Sequence, residues 1–147
     1  MSTAKSAVDF LGRVAAASAA MTVSQHVEIA ITHRAPSDLP VRVFERLTGI
    51  TVPRGVARIV AGQIPQGGLA AQAVGVARQT QHLPAVPAVL LNVSTLVVSN
   101  AVIAGALGLA DMPWRWSAGD IGTDLLHKTS LALAAHVLTR SRAAAAA

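Results

Sequence analysis

The chain contains no cysteine and no tyrosine, and only 3% of its residues are aromatic. Without cysteine there are no disulfides and no thiolate metal sites, and cysteine usage reports nothing about redox compartment. The lack of aromatics argues against a nucleic-acid partner, which needs basic residues gathered on one face with aromatics among them; here the arginines are scattered. Charge is scarce too, at 13% of residues, about half of the roughly 25% of a soluble domain. A chain of 147 residues that is 52% hydrophobic, with a mean hydropathy of +0.51, has too few charges to cover a water-facing surface. Lipid is the natural substitute for water. The formal charge of +5 then reads as lysine and arginine near helix ends, where they meet anionic headgroups.

What the chain does have is long uncharged runs. From Ala85 to Ala110 there is no charged residue, well beyond the roughly 18 apolar residues that mark a spanning helix. Arg13 and Arg34 lie near the ends of one further segment, Arg58 and Arg78 bracket another, and a last one is apolar over Leu131–Leu138 behind polar first turns, so the sequence predicts spans near 10–33, 57–78, 85–110 and 118–140. Arg13, Gln25, His26 and Glu28 interrupt the first without a small-residue cleavage site, so it reads as a retained helix. Pro65 and the Gly67–Gly68 pair predict a kink or break in the second, which also carries Gln63, Gln66 and Gln72. Between these two, Pro36 and Pro40 end the first helix, Ser37 or Asp38 caps a new one, and Gly49 closes it. Val41, Phe44 and Leu47 fall on one face of this short segment near 38–48 and Arg42 and Arg46 on another, the pattern of an amphipathic helix at a membrane surface.

The predicted fold is therefore all-α: an integral membrane bundle of four transmembrane helices plus one amphipathic surface helix, in a single domain covering 1–147. On the third span Asn92, Leu96, Asn100, Ala104 and Gly108 recur every four residues, a small and hydrogen-bonding face suited to helix packing. Asn92, Thr95 and Ser99 make an adjacent stripe. Trp114 and Trp116 flank Arg115 after this helix, as anchors at headgroup level do, and Ser117 caps the last helix.

Ionisable groups inside a span are candidates for function because keeping them there costs energy. Glu28 and His26 on the first helix, and Asp124 and His127 on the last, form a proton or ion pathway candidate set if the two helices pack with these residues level. The same carboxylates and imidazoles would suit a divalent metal, although the Asp-x-x-His spacing occurs only once. The plain structural alternative pairs Glu28 with Arg34 or Lys128, and Asp124 with Lys128 one turn on. His136 stands alone in apolar surroundings. The glutamines of the second span either line a polar cavity or join helices. The glycines there lack a phosphate-loop ending, no Gly-x-Ser-x-Gly elbow occurs, and the Asn92-Val93-Ser94 acceptor lies inside a span.

The run Ala19-Ala20-Met21-Thr22, then Glu28, then Arg34-Ala35-Pro36-Ser37 with Pro40 and Glu45-Arg46-Leu47, resembles the opening of small uncharacterised multi-span bacterial inner-membrane proteins. Asp124-Leu125-Leu126-His127-Lys128 resembles their last helix, while the middle of the chain departs from that pattern. The resemblance implies a multi-pass protein of the cell membrane with no assigned activity. Together these readings lead to an accessory or structural membrane component that packs against itself or a larger complex. A small transporter or proton-conducting element using Glu28, Asp124 and His127 is the alternative, and a metal-dependent membrane enzyme a third. The expected partners are the lipid bilayer and a second copy or a larger complex, with no nucleic acid; no cofactor, resident metal or catalytic residue is assigned.

Overall fold

The structure, a computed structural model, describes residues 3–145, and within them the fold is all-α. Helix α1 is Thr3–Thr32, α2 Leu39–Thr48, α3 Val56–Gln79, α4 Ala85–Ala106 and α5 Ala118–Ala145, with a single 3-10 turn at Pro113–Arg115 before the last helix. The four long helices run alternately up and down. Hydrogen bonds and ion pairs fix which ends lie together. Arg78, at the end of α3, reaches Asp9 of α1 at 3.6 Å. Arg13 donates to the Thr139 carbonyl of α5, and Arg140 to the Leu83 carbonyl before α4. At the other end Arg34 after α1 lies 3.5 Å from Asp120 of α5, and Arg58 of α3 lies 3.4 Å from Glu45 of α2.

The core holds these helices at close range because it is built largely of alanine. Ala17 and Met21 of α1, Ala70, Ala73, Val74 and Ala77 of α3, Val93 and Leu96 of α4, and Leu131, Ala132 and Ala135 of α5 form one buried cluster. Small side chains let backbones approach, the usual basis of helix association in lipid. A second, smaller cluster of Val41, Val52 and Ala61, with Phe44 against it, docks α2 across the first half of α3. There the Val41 methyl would lie 3.2 Å from a Cβ at Gly62, so the two helices cross in close contact at this glycine.

Two helices are long and apolar enough to cross a membrane, Ala4–Thr32 and Ala85–Ala106. Only 17% and 28% of their most apolar windows are buried. Helices α3 and α5 fall short of that hydropathy because α3 carries glutamines, a proline and glycines, and α5 opens with Asp120, Asp124, His127 and Lys128. What is established of the expected bundle is thus a helical bundle with two candidate spans.

The elements differ from expectation in three places. Helix α3 runs unbroken through Pro65. The proline ring removes one backbone donor, and the turn before it packs against α2 at Ala61 and Gly62. Helix α1 begins at Thr3, well before residue 10. Helix α4 stops at Ala106 instead of continuing to residue 110, because Gly108 takes a left-handed φ of 65°. The amide of Leu109 then donates to the Ala104 carbonyl and that of Gly108 to Gly105, the paired bonds of a Schellman ending. Gly108 is consequently a helix terminator and not part of a packing face. The expected caps at Gly49, with φ 72°, and at Ser117, whose hydroxyl accepts from the Asp120 amide at 3.1 Å, are present.

Candidate functional site

Glu28, 6% exposed, sits near the end of α1 and faces α5. The Thr32 hydroxyl donates to its Oε1 at 2.9 Å, Arg34 Nε lies 3.5 Å from the same oxygen, and His127 Nε2 lies 3.9 Å from Oε2. The other ring nitrogen of His127 is 3.0 Å from the Ser24 hydroxyl, to which Ser130 donates at 3.3 Å. A chain of polar groups therefore zigzags between α1 and α5, from Glu28 to His127, Ser24 and Ser130. Next to His127, Lys128 is 5% exposed and bonds to Asp124, one turn earlier. The spacing predicts this pair, since residues four apart share a helix face.

The predicted set is thus only partly assembled. Glu28 and His127 meet, Asp124 is engaged by Lys128, and His26 is exposed on the opposite side of α1 with its Nδ1 2.8 Å from the Thr22 carbonyl. Among the described residues no group of three His, Asp or Glu side chains is placed to hold a metal ion. His136 is buried further along α5 and makes no hydrogen bond to a described residue.

His127, Lys128 and Asp124 form one wall of a cavity of about 740 Å³ between the helices. Met21, Leu69, Leu96 and Leu131 make its floor and belong to, or pack against, the alanine-rich core; Arg34, Asp111, Arg115 and Asp120 stand at its mouth. From Asp120 to Leu131 along α5 the depth is about 16 Å at 1.5 Å per residue. Helix α2 forms a further side through Leu39, Val43 and Leu47. The cavity opens toward one end of the bundle and stops at the dry core.

Four amide side chains line this space: Gln25 of α1, Gln66 and Gln72 of α3, and Asn100 of α4. Gln72 accepts a hydrogen bond from Ser99 at 3.0 Å, so it both lines the cavity and joins α3 to α4. Gln66 presents a buried amide oxygen with no hydrogen-bond partner, whereas Gln63 is exposed on the far side of α3. On α4, Asn92 is 1% exposed and donates to the Ala73 carbonyl at 2.9 Å, and Ala104 is buried. That expected packing face is used inside the bundle, and Asn100, on the same stripe, looks into the cavity.

The tryptophans divide. Trp114 is 76% exposed, while Trp116 is half-buried, lines the cavity, and donates through its indole to the Asp111 carbonyl at 2.6 Å. Asp120 lies in the exposed first turn of α5, ahead of its apolar length. The Ser117 hydroxyl donates to it at 2.6 Å and holds its carboxyl below the usual carboxylate range, with a smaller pull from Arg34.

Sequence reasoning raised a polar cavity only as one reading of the glutamines of the second span, of which Gln66 and Gln72 do line it, and missed the roles of Gln25, Asn100 and Trp116. Their signal was present as amides recurring at similar depth in three apolar segments, but only packing shows that those depths coincide. Comparison of the chain with models of known families, with curated proteins and with solved structures gives no match.

Proposed function

We propose that this chain is a multi-pass integral membrane protein that takes a small amphipathic molecule into the cavity from one side of the bilayer. The observation that carries the reading is the inverted distribution of polarity. Glu28, Asn92, Lys128, His136 and Thr139 are buried, while Val23, Ile31, Ile59, Leu90, Val98 and Val137 lie exposed on the outside of four helices. Charges gather at two levels, Asp9, Arg13, Arg78 and Arg140 at one end and Arg34, Glu45, Arg58 and Asp120 at the other. Arg58 and Arg78 are separated along α3 by about 30 Å, the thickness of a hydrocarbon core. In this reading α3 and α5 span as well, with most of their polar groups, Gln63 excepted, turned to the cavity or the bundle interior where lipid does not meet them. The resemblance to small bacterial inner-membrane proteins agrees with this placement.

A floor of packed apolar side chains fits a binding site or one state of a carrier better than an open pore. His127, which lines the wall with Glu28 3.9 Å behind it, is the group through which protonation would couple to occupancy. A second reading, as an accessory subunit, is favoured by one observation: Gly12, Ala15, Ala16 and Ala19 are exposed along the outer face of α1, where another helix could approach.

Because the chain has no cysteine, single-cysteine labelling tests the topology without background. In sealed vesicles Gln81→Cys and Thr51→Cys are expected to react with a membrane-impermeant maleimide from opposite sides. Reaction of both from the same side, or recovery of the protein in the soluble fraction, overturns the proposal.

A further inference from the structure

We infer that the cavity selects an amphiphile whose polar end is uncharged and rich in hydroxyl or amide groups, of the kind a glycoside or polyol headgroup presents. The inference rests on the cavity-binding reading above and names the ligand class. Every charged side chain lining the cavity is already paired within the protein: Lys128 with Asp124, Arg34 with Glu28 and Asp120, and Arg115 with Asp111. A charged headgroup reaching the depth of Lys128 would have to separate that pair, leaving one buried charge without a partner, or remain uncompensated itself. Both are costly in a space that water leaves and lipid surrounds.

The amides are in the opposite condition. Gln25, Gln66 and Asn100 make no hydrogen bond to any described residue, and the Gln66 oxygen is buried. An amide both donates and accepts, so its complement is a group that does the same: a hydroxyl or another amide. These three side chains come from three helices and face one space. A hydroxyl engages both their donors and their acceptors, whereas an anion uses their donors alone. The apolar side chains Leu39, Val43 and Leu47 of α2 and Ile103 of α4 also line the space and would lie along a hydrocarbon chain, which distinguishes an amphiphile from a free sugar. At about 740 Å³ the volume is in the range of small-molecule sites.

The chain has two tryptophans, of which Trp116 lines the cavity and Trp114 is exposed. In a Trp114→Phe background Trp116 therefore reports on occupancy. The protein is reconstituted in phosphatidylcholine nanodiscs and titrated with decyl glucoside, decyl phosphate, decyl phosphocholine and methyl glucoside. The expected result is a saturable change in Trp116 emission with decyl glucoside at concentrations at least about tenfold below those needed for the two charged probes. Asn100→Leu is expected to weaken decyl glucoside about tenfold, the effect of one lost hydrogen bond, and to weaken decyl phosphate less. Gln63→Leu, on the outside of α3, should change nothing. Equal or tighter binding of decyl phosphate or decyl phosphocholine overturns the headgroup inference and leaves the cavity reading standing. Methyl glucoside binding as tightly as decyl glucoside overturns the amphiphile part, and no saturable response to any probe overturns the cavity reading itself.

Discussion

Lys128 is accommodated at 5% exposure because Asp124 faces it from one turn earlier. Removing one member of such a pair leaves the other in a poor solvent, while replacing both with apolar groups removes the problem. Lys128→Met is expected to destabilise the bundle by about 3 kcal/mol, and the double variant Lys128→Met with Asp124→Leu to lie within about 1 kcal/mol of wild type. Thermal unfolding in detergent, followed by circular dichroism, measures both. Ser117 and Asp120 set a pH dependence at the exposed start of α5. With its folded pKa depressed, Asp120 contributes stability that is fully present above the ordinary carboxylate range and is lost as pH falls through the lower folded value. Ser117→Ala should bring the Asp120 titration back toward the ordinary range in a carboxyl NMR titration, flatten the acid-side fall in stability, and cost about 1 kcal/mol at neutral pH through the lost N-cap. The i, i+4 pair and the cap were both legible in the sequence because each depends on one turn of one helix.

Helix ends were less legible. The uncharged run to Ala110 reads as continuous helix, but Gly108 at φ 65° stops it four residues earlier. Glycine occurs both inside and at the ends of apolar helices, and hydropathy does not tell the two apart. The structure does so through a contrast between neighbours. A Cβ at Gly108 meets nothing within 4 Å, yet the backbone there is one that L side chains rarely adopt, so Gly108→Ala is expected to cost about 1 kcal/mol. At Gly105 the backbone is helical and a Cβ would meet only the Met112 sulfur at 2.9 Å, the far end of a flexible side chain. Gly105→Ala should therefore be near neutral, since alanine's better helix propensity, worth about 1 kcal/mol, offsets the displacement of Met112. Unfolding midpoints of the two variants, compared side by side, decide the matter. The unbroken passage of α3 through Pro65 was hidden as well, since proline with a following glycine pair reads locally as a break.

Taken whole, the bundle is wet at one end and dry at its waist. The polar chain from Glu28 to Ser130 ends against Ala17, Met21, Leu131 and Ala132, all buried. Nothing polar among these four side chains would carry a proton or an ion further. Proteoliposomes containing the wild-type chain are accordingly expected to hold an imposed pH gradient as long as protein-free liposomes do, read with an entrapped pH-sensitive dye. Rapid collapse of the gradient would mean that the dry waist opens.

The sequence by itself determined the all-helical class, the five helices, the amphipathic character of α2 and the pairing of Asp124 with Lys128. Each follows from composition, from hydrophobic periodicity or from a spacing within one helix. It also named Glu28 and His127 as worth bringing together. Only the tertiary structure decided that they do meet, that His26 turns away, and that Gln25, Gln66 and Asn100 face one cavity. The rotation of a helix about its axis and the depth at which it meets its neighbours come from contacts between segments far apart in the chain. In a bundle cored by alanine those contacts leave almost no pattern in any single segment.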